Sequence, residues 1–308
     1  MHYRDSCVNS ALCTSRHSQV LHLQHIPRPG CTGVGKLGKQ PTDLLLSIVT
    51  VSLNAAATIE RTLASVTLQQ VNFGVEHICV DGGSSDGTRS IIDRWALLNS
   101  RIVRIYQPDK GIFDAMNKGL GAAQGEYVLF LNADDFLVAR DSMAFALAGC
   151  VHGGADNPDL IVGDAVMGKI GRVGLWRHRR VPRLLGRVRG FGMYPVHQAQ
   201  FSKRRLLEAV EGFDARLHLA ADINQYYDME RRFHPSTRLV GADIAFMEAG
   251  GAANAGVKAM ARGTLEVYRH LSGEVGGARA SLMVLIKTLQ SVSEVRFGRC
   301  PHELWFAR

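Results

Sequence analysis

The stretch YVLFLNADD, residues 127–135, decides the fold: an apolar run of strand length that ends in two adjacent carboxylates. Short apolar runs of this kind read as buried strands. Working back from it, SIVTVSL (47–53), roughly Val75 to Asp81, and RIVRIYQ (101–107) have the same character. Between them lie helical periods, with Ile59, Leu63 and Val66 on one face, then Ile91, Ile92, Trp95 and Leu98, then a short helix around Phe113 to Ala123. Strands alternating with helices at this pace predict an α/β fold whose sheet is mostly parallel and covered by helices on both faces. Ligands of such sheets sit at the carboxyl ends of the strands. Here three of those ends are acidic or polar: Asp81, Pro108-Asp109 and Asn132-Ala133-Asp134-Asp135.

Working forward, LIVGDAV (160–166) reads as a further strand, and 177–189 is a basic run holding Arg177, Arg179, Arg180, Arg183, Arg187 and Arg189. Helices are expected over Lys203–Val210 and Ala221–Arg232. The last fifty residues read as helical, most apolar at LMVLIKTL (282–289). Residues 1–43, rich in His, Gly, Pro and polar residues, lack steady periodicity and read as a poorly ordered extension. The expected organisation is thus an extension (1–43), a catalytic domain (44–251) and a C-terminal helical segment (252–308).

The 308 residues are 46% hydrophobic and 21% charged, enough for a sizeable core, and the net charge of +8 favours acidic partners such as nucleotide phosphates or anionic lipid. Aromatic residues, 7% of the chain, are not interleaved with the basic run as a nucleic-acid stacking platform requires, so no nucleic-acid partner is expected. Six cysteines without a CxxC pair match neither a zinc site nor a compact disulfide framework, and Cys79 reads as a core residue. No apolar stretch reaches the roughly 18 residues of a membrane span, and the opening residues lack signal-peptide order. A cytoplasmic protein is expected, free or resting on the inner face of the plasma membrane.

Asp134 and Asp135 at a strand mouth suit a hard cation with oxygen ligands, Mg²⁺ or Mn²⁺, that bridges substrate phosphates; the same pair can also serve as a helix N-cap. In DGGSSDGT (81–88), Gly82, Gly83 and Gly87 permit a tight turn, and Asp81 supplies an acceptor that could hold a nucleoside. An ordinary strand-to-helix turn would look alike. Asp114, Asn117 and Lys118 either face the nucleotide or form a solvated helix face. The absence of G-x-G-x-x-G argues against dinucleotide-dependent hydride transfer.

Taken in order, SIVTVSLNAA (47–56), VDGGSSDGT (80–88), PDKGIFDAMNKG (108–119) and LFLNADD (129–135) resemble glycosyltransferase family 2, and within it the bacterial transferases of polysaccharide and glycolipid assembly. VHQAQFSKRRLLEAVEGFD (196–214) and LAAD (219–222) agree with the later part of such proteins. The resemblance implies a GT-A fold with a Rossmann-like sheet and a nucleoside-diphosphate sugar donor. It implies that Asp81 contacts the nucleobase and that Asp109 borders the nucleotide; Asn54 joins Asn117 and Lys118 as a candidate for the nucleotide-sugar site. Asp134 and Asp135 would bind ribose and the metal–diphosphate group, and Asp222 would act as catalytic base. Two departures stand out: Gly82 replaces a second aspartate common in the family, and Ala221 replaces an acidic neighbour of Asp222. The base, uracil or guanine, is left open.

These residues together predict an inverting, metal-dependent transfer of a sugar to a hydroxyl of a glycan or lipid-linked acceptor, with Asp222 taking the proton. His197 is a candidate ligand of the metal or diphosphate, or else a hydrogen-bonded core residue. Spacing alone allows Asp222 to be a helix-starting carboxylate. The basic run and the C-terminal helix fit peripheral contact with an anionic membrane, or equally a solvated loop and ordinary packing. A sugar-nucleotide nucleotidyltransferase and a catalytically silent binding module are the competing readings.

Overall fold

A computed structural model describes residues 44–170, 172–180, 194–249 and 257–299, all within one compact unit. Residues 1–43 of the extension, residue 171, residues 181–193 with Arg183, Arg187 and Arg189 of the basic run, residues 250–256 and residues 300–308 lie outside the described residues.

The first half alternates as the apolar pattern requires: β1 (Leu44–Ser52), α1 (Ile59–Thr67), β2 (Gly74–Asp81), α2 (Thr88–Leu98), β3 (Ile102–Tyr106), α3 (Ile112–Ala122) and β4 (Tyr127–Phe130). These four strands pair in parallel, β1 lying between β2 and β4 and β3 outermost beside β2. Side chains alternate across the pleat. Leu46, Ile48 and Leu129 pack on one face, while Val49, Val51, Ile78, Val80, Val128 and Phe130 pack on the other. Helices α1 and α2 cover the first face, and α3 covers the second. Gly119 permits the close docking of α3, because a Cβ there would overlap the Val49 side chain.

The second half extends this sheet antiparallel. It comprises β5 (Phe136–Leu137), α4 (Ser142–Ala146), β6 (Leu160–Gly168), β7 (Val173–Arg179), a 3₁₀ turn (His197–Ala199), β8 (Gln200–Lys203), α5 (Arg204–Ala209), α6 (Ala221–Phe233) and β9 (Thr237–Glu248). β8 joins β4 to β6, and β7 follows; β9 pairs in parallel with β6 and antiparallel with β5. The sheet is therefore mixed, with a parallel core. Two long helices follow, α7 (Val257–Val275) and α8 (Gly277–Ser293). The chain then returns to the sheet as β10 (Val295–Arg299), antiparallel to β7. Helical periodicity alone predicts α7 and α8 but not β10, whose identity comes from pairing with a distant edge.

Two further observations concern Cys79 and the helices. Cys79 is fully buried, and burial pushes its thiol up to about 12, which makes it an inert core residue. Among the described residues, no helix is long and apolar enough to cross a membrane.

Candidate active site

The carboxyl end of β4 opens into a cavity of about 320 Å³, the size of a small-ligand pocket. Asp134, Asp135, His197 and Asp222 all line it. They come from three places: the turn after β4, the 3₁₀ turn before β8, and the first turn of α6. Asp222 stands in the first turn of α6, whose free N–H groups no side chain caps.

The aspartate pair is held by its backbone. Arg61 Nη2 donates to the Asp134 carbonyl at 2.7 Å, Thr62 Oγ1 donates to the Asp135 carbonyl at 2.6 Å, and Arg61 is ion-paired with Glu248. Asp135 is 3% exposed; its Oδ2 accepts from Gln198 Nε2 at 3.0 Å and its Oδ1 from the Glu248 N–H at 3.3 Å. Burial, followed by repulsion from Asp134, pushes the Asp135 carboxyl well above the usual carboxylate range. Burial likewise raises Asp134.

Among the described residues, Asn132 Oδ1, His197 Nε2 and Gln198 Oε1 are cavity-wall atoms buried without a hydrogen-bond partner. Oxygens can only accept, and so can His197 Nε2 if the other ring nitrogen carries the proton. That nitrogen, Nδ1, lies 3.2 Å from Asp222 Oδ2, and an ionised carboxylate requires a donor there. Two carboxylates raised by burial, with these vacant acceptors, are donor types that a hard divalent cation takes, although the ligand atoms of Asp134, Asp135 and His197 do not gather within 4.8 Å of one another. A separate group, Asp164, His178 and Asp243, places ligand atoms within 4.8 Å of one another. There His178 Nε2 lies 2.6 Å from Asp243 Oδ1, and Arg180 Nε donates to Nδ1 at 3.2 Å, so both ring nitrogens are engaged.

The remaining sequence candidates do not line this cavity. Asp81 is fully buried and accepts from Ser52, Gly83, Ser84 and Arg89, with Ser84 Oγ at 2.5 Å and Arg89 Nε at 2.6 Å. Burial works against its charge, but the bonds from Ser84 and Arg89 outweigh it and hold the carboxyl below its ordinary value. Its oxygens are committed to shaping the glycine loop, not free for a base. Asn54, with a left-handed φ of 51°, ties β1 to that loop by accepting from the Ser85 N–H at 3.0 Å. Asp109 accepts from the Gly111 N–H at 3.0 Å and lies over Gly82, where any Cβ would overlap its carboxylate. Lys118 donates to Asp114 and to the Pro108 carbonyl. Asn117 has both ends of its side chain engaged: its amide donates to the Phe213 carbonyl and accepts from the Phe213 N–H, both at 2.8 Å. That is a lock between α3 and the turn before α6.

Sequence reasoning missed Arg61, Gln198 and Glu248. Glu248 carries a readable signal, an acidic residue closing the apolar run IAFME; Arg61 carries none, since a basic residue in a helix looks solvated until the fold brings Asp134 to it.

Residues 47–143 match the model of the family described as Glycosyl transferase family 2. A PGL/p-HBAD biosynthesis glycosyltransferase of Mycobacterium tuberculosis is 33% identical over 180 residues, which cover 58% of this chain and 66% of that protein, just under two thirds of the relative's length. Among solved structures, the mannosyltransferase PcManGT from Pyrobaculum calidifontis, in complex with GDP-Man and Mn²⁺, superposes with a TM-score of 0.53 at 19% identity, covering 84% of this chain and 76% of that one. Staphylococcus aureus TarS in complex with UDP-GlcNAc gives 0.52 at 17% identity, covering 81% and 73%. At these identities the two structures establish the shared GT-A fold.

Proposed function

We propose, from the premise that residues 47–143 are a family 2 glycosyltransferase domain, that this chain moves a sugar from a nucleoside-diphosphate sugar to a hydroxyl of a glycan or lipid-linked acceptor in polysaccharide or glycolipid biosynthesis. The observation that carries the reading is the meeting of Asp134, Asp135, His197 and Asp222 in one cavity. In this reading the catalytic unit spans 44–251, and the segment after it, 252–308, carries α7, α8 and β10. Nucleotide sugars in the two solved neighbours, and Mn²⁺ in one of them, support the donor class and the metal.

Asp134, Asp135 and His197 Nε2 would hold Mg²⁺ or Mn²⁺, which when bound offsets the charge growing on the departing diphosphate. Asp222 receives the acceptor's proton. Its Oδ2 is directed by His197 Nδ1–H, which leaves Oδ1 to face the incoming hydroxyl. Attack opposite the leaving group inverts the anomeric centre. Arg61 and Thr62 keep the aspartate pair in place while both substrates are aligned. Contact with an anionic membrane is part of the reading, because the outward face of α8 presents Leu282, Leu285, Leu289 and Val292 to solvent.

The test is release of nucleoside diphosphate from a panel of UDP- and GDP-sugars, with and without Mn²⁺. No release from any donor in the presence of metal and mixed acceptors overturns the reading.

A further inference from the structure

The cavity carries both signs of charge. Besides the acidic residues, Arg177, Arg179 and Lys287 line the same space. Two of these cations share one aromatic ring: Lys287 Nζ lies 5.6 Å and the Arg179 guanidinium 5.8 Å from the centre of Tyr194. Arg179 is neutralised by Glu294, with Nη1 to Oε2 at 2.9 Å. Arg177 donates to Ser291 Oγ at 3.2 Å, a neutral partner. Among the described residues no carboxylate pairs with Lys287, on the inner face of α8, and burial lowers its affinity for a proton. Holding two cations without carboxylate partners at a cavity wall is costly unless an anion completes the site.

We infer that Arg177 and Lys287 form a subsite for a phosphate group carried by the acceptor, which sets the acceptor hydroxyl against Asp222. The inference rests on the transferase reading above and adds the acceptor's chemical class. The metal-compatible carboxylates would take the donor diphosphate, so the basic wall is free for a second anion. Its position agrees with this division, since Arg177 and Lys287 line the same cavity as Asp222. Arg177 and Ser291 tie β7 to the end of α8, which holds the wall in place.

The experiment is calorimetric titration of the full chain with n-octyl phosphate, glycerol 3-phosphate, n-octyl glucoside, and UDP or GDP with Mn²⁺. Both phosphates are expected to bind and the neutral glucoside not to. Lys287→Met and Arg177→Met should each weaken phosphate binding about tenfold or more, with Lys287→Arg retaining it and nucleotide affinity unchanged. Tighter binding of the octyl ester assigns a lipid phosphate, and equal binding a phosphate on a soluble glycan; either result supports the subsite. The inference is overturned if phosphate binding survives both Met substitutions, or if they weaken UDP and GDP instead, which would give the wall to the donor. Thermal melts that match wild type show that the variants are folded. Absence of nucleotide binding with phosphate binding intact sinks the transferase reading and leaves the anion site standing.

Discussion

His197 Nδ1 stands 3.2 Å from Asp222 Oδ2, while the opposite ring nitrogen of His197 faces the cavity without a partner. One imidazole thereby joins the residue placed as base to the place where a cation fits. Asp222→Asn keeps the shape and removes the proton acceptor. Transfer is expected to fall by about 10²–10⁴-fold with donor affinity unchanged. Turnover measured by diphosphate release and nucleotide affinity measured by calorimetry separate the two effects, and near-normal turnover removes Asp222 from the role.

With a cation held as proposed, the raised carboxyls of Asp134 and Asp135 would make its binding dependent on pH. In the folded chain Asp135 keeps its proton at pH values where the unfolded chain has lost it. Its contribution to stability is therefore greatest below the ordinary carboxylate range and is lost as pH rises through the raised one. A bound cation reverses the penalty. The stabilisation by Mn²⁺, read as a melting-temperature shift, should be larger at about pH 8 than at about pH 5. Asp135→Asn should abolish the shift and, without metal, melt about 2–4 °C above wild type at the higher pH.

Much of the fold could be read from the chain because buried strands and amphipathic helices carry local periods. Leu46 and Val49 already alternate in sequence as they do across the sheet. The antiparallel extension is less legible. β10 and the β6–β9 pairing depend on partners far away in sequence, and Arg177 reads as part of a charge run until β7 brings it beside Ser291. The same distinction holds at the site. Asp134, Asp135, His197 and Asp222 announce themselves as acidic or imidazole groups near element ends. Whether an aspartate faces a ligand or its own loop, as Asp81 does, depends on hydrogen bonds that spacing does not encode.

Asn117 tests that distinction. Asn117→Ala leaves the N–H and carbonyl of Phe213 without their partners and is expected to cost about 1–3 kcal/mol in denaturant unfolding. Donor affinity should change little. A tenfold loss of nucleotide binding at unchanged stability would restore the residue to the nucleotide site.

Gly82 stands where a Cβ would overlap the Asp109 carboxylate. Because the obstacle is the end of a flexible side chain, Gly82→Ala should displace Asp109 and cost little stability. Nucleotide affinity is the informative readout. A severalfold loss, matched by Asp109→Ala and not deepened in the double variant, would show that Gly82 acts by letting Asp109 lie over the loop.

The outward face of α8 supplies the last prediction. Leu282, Leu285, Leu289 and Val292 are 46%, 54%, 61% and 67% exposed, while Ala280 and Met283 on the opposite face are buried. Ordinary packing of an amphipathic helix puts such side chains inward, so an outward leucine stripe calls for an apolar partner. The exposed Arg296 just beyond the helix adds attraction for anionic headgroups. Leu285→Glu with Leu289→Glu should move the protein from the floated to the soluble fraction with vesicles containing phosphatidylglycerol, at unchanged melting temperature. Because those residues point away from the cavity that Lys287 lines, diphosphate release with a water-soluble acceptor should be unaffected. Equal flotation of variant and wild type would mean that this face does not meet the bilayer.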